Sequence, residues 1–435
     1  MTISRIAQPD GTLGILLPGL GAVATTLVAG TLLARRGLGA PVGSLTQLGQ
    51  LKLGAGTRER TVPIREAVPL APLTDLAFGA WDIFPDNALE AARVAGVLEE
   101  RHLAPIAEEL ASLRPMPGAF YPQYVKKLQG THTKRASSKA DMVAQLRDDI
   151  RTFRRNAGAT RLVAVWCAST EVLVEPAACH QTIAQFDRGL MQDDPAISNA
   201  QLYAWACLQE GVPFVNGSPN LAADFPAAAS LAREAGVPLA GKDYKTGQTL
   251  MKTIIGPGLK ARLLGLNGWF STNILGNRDG EVLDDIESFR AKERSKLGVL
   301  EQVLEPERYP ELYGKFHHKV RIEYYPPRGD AKEGWDNIDL FGWLGYPMQL
   351  KIDFLCRDSI LAAPLVLDLA LLMDLAHRAG LSGTQDWLSF YFKSPMTQPG
   401  AKQVHDLFAQ QRALEATLRA FAGEAPLAPG GEARA

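Results

Sequence analysis

The segment SFRAKERSKLGVL (288–300) places a cation at every second position: Arg290, Lys292, Arg294 and Lys296. On a helix, Lys292 and Lys296 are i,i+4 neighbours on one face, and Arg290 and Arg294 are neighbours on the next. Like charges at that spacing cost about 0.2–0.5 kcal/mol per pair, and only Glu293 is placed to soften the repulsion. An anion would relieve it. The loop GKDYKTGQT (241–249) opens a helix, so Thr246, Gly247 and Gln248 present backbone N–H groups and a hydroxyl at a helix start, where anions bind. Lys332 lies in the turn PPRGDAKEGWDN beside Asp330, and Lys393 lies among aromatic residues in LSFYFKSP. An apolar setting lowers a lysine's pKa and lets it exchange protons near neutrality. Each feature taken singly also has a plain reading: a solvated basic face, an N-cap, a polar turn and a snorkelling lysine.

Near the N-terminus, Gly19-Leu20-Gly21-Ala22-Val23-Ala24 fits G-x-G-x-x-A, followed by Thr25. Between the apolar run TLGILL (12–17) and a helix over 22–35, that pattern suits a pyrophosphate or, equally, a tight packing corner. The acid expected about 20 residues on is absent. Arg35 and Arg36 end the helix, and Asp82, after the apolar run DLAFGAW, is a substitute for the missing acid or an exposed turn residue.

The elements that must position these residues are bounded by composition. With 435 residues the chain exceeds one ordinary core. It is 46% hydrophobic and 21% charged, with 46 basic and 47 acidic residues. That is a globular composition with no basic surplus for nucleic acid. Cys167, Cys179, Cys207 and Cys356 are widely spaced, which predicts reduced cytosolic thiols rather than a disulfide or zinc framework. The run 14–34 is apolar, but its glycines and Pro18 make it a strand, a turn and a helix rather than a membrane span. The seven histidines have no metal-site spacing.

Strands at 12–17, 159–166, 212–216 and 237–240 alternate with helices at 198–211 and 225–236, which predicts parallel βαβ units. Ligands of such sheets bind beyond the carboxyl ends of the strands. Those ends carry Ser169-Thr170-Glu171, Asn216-Gly217-Ser218 and Lys242-Asp243. Residues 86–156 read as mostly helical. Residues 261–268 read as a strand followed by the turn FSTNILGNRDGE. Strands over 317–355 joined by short turns predict an antiparallel sheet, and 359–380 reads as a long apolar helix. The Ala/Pro/Gly-rich tail reads as disordered.

Six ordered blocks, GKDYKTGQT, STNILGNRDG, SFRAKERSK, RGDAK, CRDSILAAPLVLDL and FYFKSP, resemble the myo-inositol-1-phosphate synthase family from about residue 12 to 397. The resemblance implies an α/β fold: a Rossmann-like NAD-binding domain (1–249, with a helical insertion near 86–156) and an inserted α+β catalytic and oligomerisation domain (250–357). The chain then returns to the first domain (358–420) and ends in a tail (421–435). It implies NAD used twice on glucose 6-phosphate: C5 oxidation, proton loss at C6, aldol closure onto C1 and re-reduction of C5, giving an inositol phosphate in the first step of inositol biosynthesis. By resemblance, Lys292 and Lys393 flank C5. Lys296 and Lys332 take the phosphate or the C1 oxygen, and Thr246, Gly247 and Gln248 help hold the phosphate. Asp243, Asn273, Asn277, Asp279 and Asp358 line the nicotinamide and substrate end, and Asp330 orients Lys332 or a neighbour. Gly19, Gly21, Ala22, Ala24 and Thr25 cradle the pyrophosphate, with Ser169 and Thr170 nearby and Asp82 on the ribose. The family also implies a homotetramer in the cytoplasm, with a monovalent or divalent cation as an open addition.

Two positions depart from the family's common SYNHLGNNDG: Ile274 replaces a histidine and Arg278 an asparagine. Arg35 and Arg36 leave room for NADP, although Asp82 would repel a 2′-phosphate. A sugar-phosphate dehydrogenase and a non-catalytic NAD-binding homologue are the competing readings.

Overall fold

The computed structural model describes residues 6–54, 56–285, 299–398 and 400–424. Lys292 and Lys296, with the whole basic stretch 288–298, lie outside the described residues, as does the tail from 425. In chain order the strands are β1 (Thr12–Pro18), β2 (Gln50–Leu53), β3 (Arg60–Pro63), β4 (Leu76–Asp82), β5 (Met116–Pro117), β6 (Ala159–Trp166) and β7 (Phe214–Asn216). They continue with β8 (Pro238–Gly241), β9 (Gly265–Leu275), β10 (His317–Tyr324), β11 (Ala331–Phe341), β12 (Pro347–Arg357) and β13 (Gly383–Thr384).

A seven-stranded parallel sheet has the order β13-β8-β7-β6-β1-β4-β5. β1 is apolar nearly throughout because helices cover both faces of the sheet. On one face the helices Ala22–Arg35 and Asp358–Arg378 share a core with β1. On the other, Lys139–Asn156 and Asn199–Gln209 pack around Trp81, Trp166 and Trp205. The helix Asp358–Arg378 is long and apolar enough to cross a membrane, yet its residues from Val366 to Ala376 are buried in this core. β1 pairs with β4 on one side and β6 on the other, so the strand order reverses there and a crevice opens at their carboxyl ends.

The second sheet has the order β10-β9-β11-β12. The structure departs from expectation at three places, two of them in this sheet. β9 spans Gly265–Leu275, so 261–264, read as strand, closes the preceding helix and its turn, and FSTNIL, read as a turn, is strand. β10 does not pair with β11: it lies parallel to β9, and β9 separates the two. Residues 276–316 intervene between β9 and β10, enough chain for a crossover that restores the same direction. Only β9-β11-β12 is antiparallel. Finally, 113–138 is not helical but loop, with β5 and one short 3-10 turn, because Pro115, Pro117 and Pro122 interrupt helical hydrogen bonding.

One face of this sheet packs on the helix Gly247–Ala261. There Asp336 accepts from Trp269 Nε1 (2.7 Å) and Ser271 Oγ (2.6 Å). Lys252 Nζ, buried under the helix, lies 2.8 Å from His318 Nε2.

Candidate active site

A cleft of about 560 Å³ opens where the carboxyl ends of β1, β4, β6 and β8 face the ends of β9 and β12 and the start of β11. Its first wall is the turn after β1. Gly19 has φ 90°, and a Cβ there would lie 2.6 Å from Ala168 Cα, so the turn closes against the chain after β6 only with glycine. Gly21 is the N-cap of Ala22–Arg35 and offers no side chain to the orphan N–H groups. A Cβ there would meet nothing within 4 Å. The uncapped helix start therefore faces open cleft, which fits a diphosphate. Gly19, Gly21 and Ala22 line the cleft. Ala24 is buried in the core, and the Thr25 hydroxyl donates to Gly21 O (2.9 Å), so these two shape the helix rather than the cavity.

Asp82 ends β4 beside this turn. Its carboxylate accepts from Leu20 N (2.6 Å) and Phe84 N (3.0 Å), which fixes it at the lip. Burial raises its pKa, opposed by those backbone donors and by the charge of Arg278. Arg35 and Arg36 turn away. Arg35 donates to Leu73 O and Leu76 O, and Arg36 to Pro105 O and Glu109. Neither lines the cleft.

Ser169 and Thr170 line the wall after β6. Glu171 follows, fully buried, accepting from Ala200 N (2.9 Å), and burial pushes its carboxyl up to about 7.

The far wall carries the charged groups. Asp243 follows β8 with φ 62°. Its Oδ1 is 3.3 Å from Lys393 Nζ, and its carbonyl accepts from Lys393 N (2.7 Å). Lys332, at the start of β11, and Asp358, just past the end of β12, are joined at 2.5 Å. Gly247, at φ 55°, begins its helix against them: a Cβ there would lie 3.1 Å from Asp358 Oδ1 and 3.6 Å from Lys332 Nζ. Thr246, the N-cap, makes no side-chain capping bond and lines the cleft. The Gln248 amide is used inward, donating to Thr272 O (3.0 Å) and Trp335 O (2.9 Å) and accepting from Asn273. Gln248 and Asn273 brace the sheet behind the cleft, and of this helix start it is Thr246 that lines the cavity.

Asp330 accepts from Asn277 Nδ2 (3.0 Å) and Ser359 Oγ (3.5 Å). Burial raises its pKa, the Asn277 bond opposes the rise, and the charge of Asp358 adds to it. Asp279 lies in the first turn of the helix Arg278–Leu283 that Asn277 caps.

Sequence reasoning missed Ser359 and Phe84 as cleft residues. Adjacency to Asp358 and Asp82 was the available signal. Of the two departures, Ile274 points to the opposite face of β9 from Asn273, whereas Arg278 lines the cleft with its guanidinium 4.4 Å from the Phe84 ring centre.

Comparison with known proteins gives a consistent match. The family model described as myo-inositol-1-phosphate synthase matches residues 13–419. An inositol-3-phosphate synthase from Bacteroides thetaiotaomicron is 52% identical over 422 residues, covering 97% of this chain and 98% of the relative. The human inositol-3-phosphate synthase is 34% identical, covering 97% and 80%. The solved structure of inositol-3-phosphate synthase from Caenorhabditis elegans superposes with a TM-score of 0.90 at 25% identity, covering 98% of this chain and 88% of that one.

Proposed function

The chain belongs to the myo-inositol-1-phosphate synthase family, and we propose that its cleft performs the family's cyclisation with the residues now described. The chain is an isomerase-type enzyme that converts glucose 6-phosphate to inositol 3-phosphate with NAD. The observation that carries the site reading is the meeting of two lysine–carboxylate pairs with two uncapped helix starts in one cleft.

When bound, NAD takes a hydride from C5 and returns it after ring closure. Gly19, Gly21 and Ala22 hold its diphosphate, Asp82 its ribose, and Ser169 and Thr170 the stretch between. Lys393, fixed by Asp243, removes the C5 hydroxyl proton and later restores it. The N–H groups of Gly247 and Gln248 hold the substrate phosphate. Lys332, oriented by Asp358, neutralises that phosphate or the oxyanion developing at C1. Asp330 and Asn277 hold the β9 corner against the β11 start. By resemblance, Lys292 and Lys296 complete the cation set and Asp279 closes the nicotinamide end.

Among the described residues no group of three or more His, Cys, Asp or Glu converges as a metal site. Asp358 is paired with Lys332. The outer face of the second sheet bears Phe270, Trp335 and Leu355, exposed by 40%, 47% and 61%. The β11–β12 tip adds Trp343, 88% exposed. That apolar surface supports a homotetramer with this sheet at the contacts. The four free thiols support a reducing, cytoplasmic setting.

Substrate deuterated at C5 tests the hydride cycle. Retention of the label in the inositol phosphate, with unlabelled NAD present in excess, is expected. Its appearance in free NADH would mean a dehydrogenase.

A further inference from the structure

The proposed reaction demands that the cofactor stay bound between hydride loss and hydride return, and this inference rests on that reading. One cross-cleft contact suits that demand. Phe84 lies two residues beyond β4, on the nucleotide wall. Arg278 begins the helix after β9, on the opposite wall. Both line the cleft, and the guanidinium sits over the ring at 4.4 Å. The N–H of Phe84 is itself tied to Asp82 Oδ1. The stack thus spans the cleft beside the carboxylate assigned to the ribose.

Arg278 is exposed, and among the described residues its guanidinium donates no hydrogen bond. Arg35 and Arg36 are engaged elsewhere. Lys332 and Lys393 are paired with carboxylates. Among the described residues, Arg278 is therefore the cleft cation whose fork of donors is left for an incoming anion, and a planar guanidinium can stack and donate at once.

We propose that Arg278 and Phe84 form a latch across the cofactor end of the cleft, with Arg278 also drawing on the dinucleotide's diphosphate. The latch slows cofactor escape during turnover. Without it, the hydride from C5 leaves with the released NADH, the hydroxyl proton goes to solvent, and the sugar is stranded as a 5-ketone.

The test compares wild type with Arg278→Ala, Arg278→Lys, Phe84→Leu and the Arg278→Ala/Phe84→Leu double variant. Two quantities are read: NADH release in stopped flow with excess NAD as chase, and free NADH per inositol phosphate formed. Release should quicken about tenfold in Arg278→Ala, a size set by loss of a stacked cation near an anion. Arg278→Lys should fall between, and the double variant should release no faster than the faster single. Leaked NADH should rise in parallel while melting temperatures stay level. Release within twofold of wild type, or additive effects of the two changes, would overturn the latch. Wild type that binds NADH but forms no inositol phosphate would sink the reaction reading, and the release rates would still decide the latch. Wild type that does not bind NADH would sink both.

Discussion

Lys332 Nζ and Asp358 Oδ2 are 2.5 Å apart and join the open end of the β11–β12 hairpin to the first residue of the helix Asp358–Arg378. The pair is only partly exposed, and it abuts the start of the helix that carries Gly247 and Gln248. One ion pair therefore ties the second sheet to the returning helix, against the start of the helix Gly247–Ala261.

Lys332→Met should lower kcat/KM for glucose 6-phosphate by about 10²–10³-fold, the loss expected when one preorganised group facing an oxyanion is removed. Asp358→Asn should lose less, because Lys332 keeps its charge but not its aim. Steady-state kinetics beside a melting curve would check this. Equal losses from both variants, tracking a fall in melting temperature, would make the pair a structural tie only.

Lys393 and Asp243 should separate differently. Lys393→Met should slow the first appearance of nicotinamide absorbance in a single turnover by about 10²–10⁴-fold, since proton removal at C5 accompanies hydride loss. Asp243→Asn is sterically mild, because asparagine tolerates the φ of 62° at this position. It should shift the pH profile of that phase. A normal burst in Lys393→Met would remove Lys393 from the C5 step.

Glu171, on the cleft wall after β6, offers a pH test read through stability. Burial holds its folded pKa at about 7, against about 4.3 in an unfolded chain. Between those values the folded state carries the extra proton, so stability falls as pH rises through this window. The loss is on the order of 3 kcal/mol once pH exceeds the folded pKa. Glu171→Gln should flatten that slope and leave the variant relatively more stable at pH 8 than at pH 4. Melting temperatures across pH 4–8 check it, and parallel curves would contradict it.

Gly19→Ala should weaken cofactor binding and stability together. The residue is at φ 90°, and the new methyl would meet Ala168 Cα. A cost of about 1–3 kcal/mol is expected. Gly21→Ala meets no neighbour and should spare stability while crowding the diphosphate. Calorimetry with NAD distinguishes the two, and equal melting temperatures for both variants would contradict this geometry.

Much of this could be read from sequence because its signals are local. The helix Ala22–Arg35 and the strand Ala159–Trp166 begin and end where periodicity and glycine placed them. The lysine motifs stood out because their residue types are costly without a partner. The pairing of β10 with β9 could not be read that way, since it joins segments separated by some forty residues and nothing in HHKVRIEY names its neighbour. The inward use of Gln248 was equally hidden, because its partners Thr272 O, Trp335 O and Asn273 come from two other strands. Arg278 was visible as a departure, but its stack on Phe84 was not.

The most direct test of the account is phosphorus and proton NMR of the protein with glucose 6-phosphate and catalytic NAD, with nicotinamide absorbance followed in parallel and Lys332→Met as control. The account predicts an inositol monophosphate formed in many-fold excess over NAD, with no net NADH, and little product in the control. Stoichiometric NADH accompanied by an oxidised sugar phosphate would contradict it.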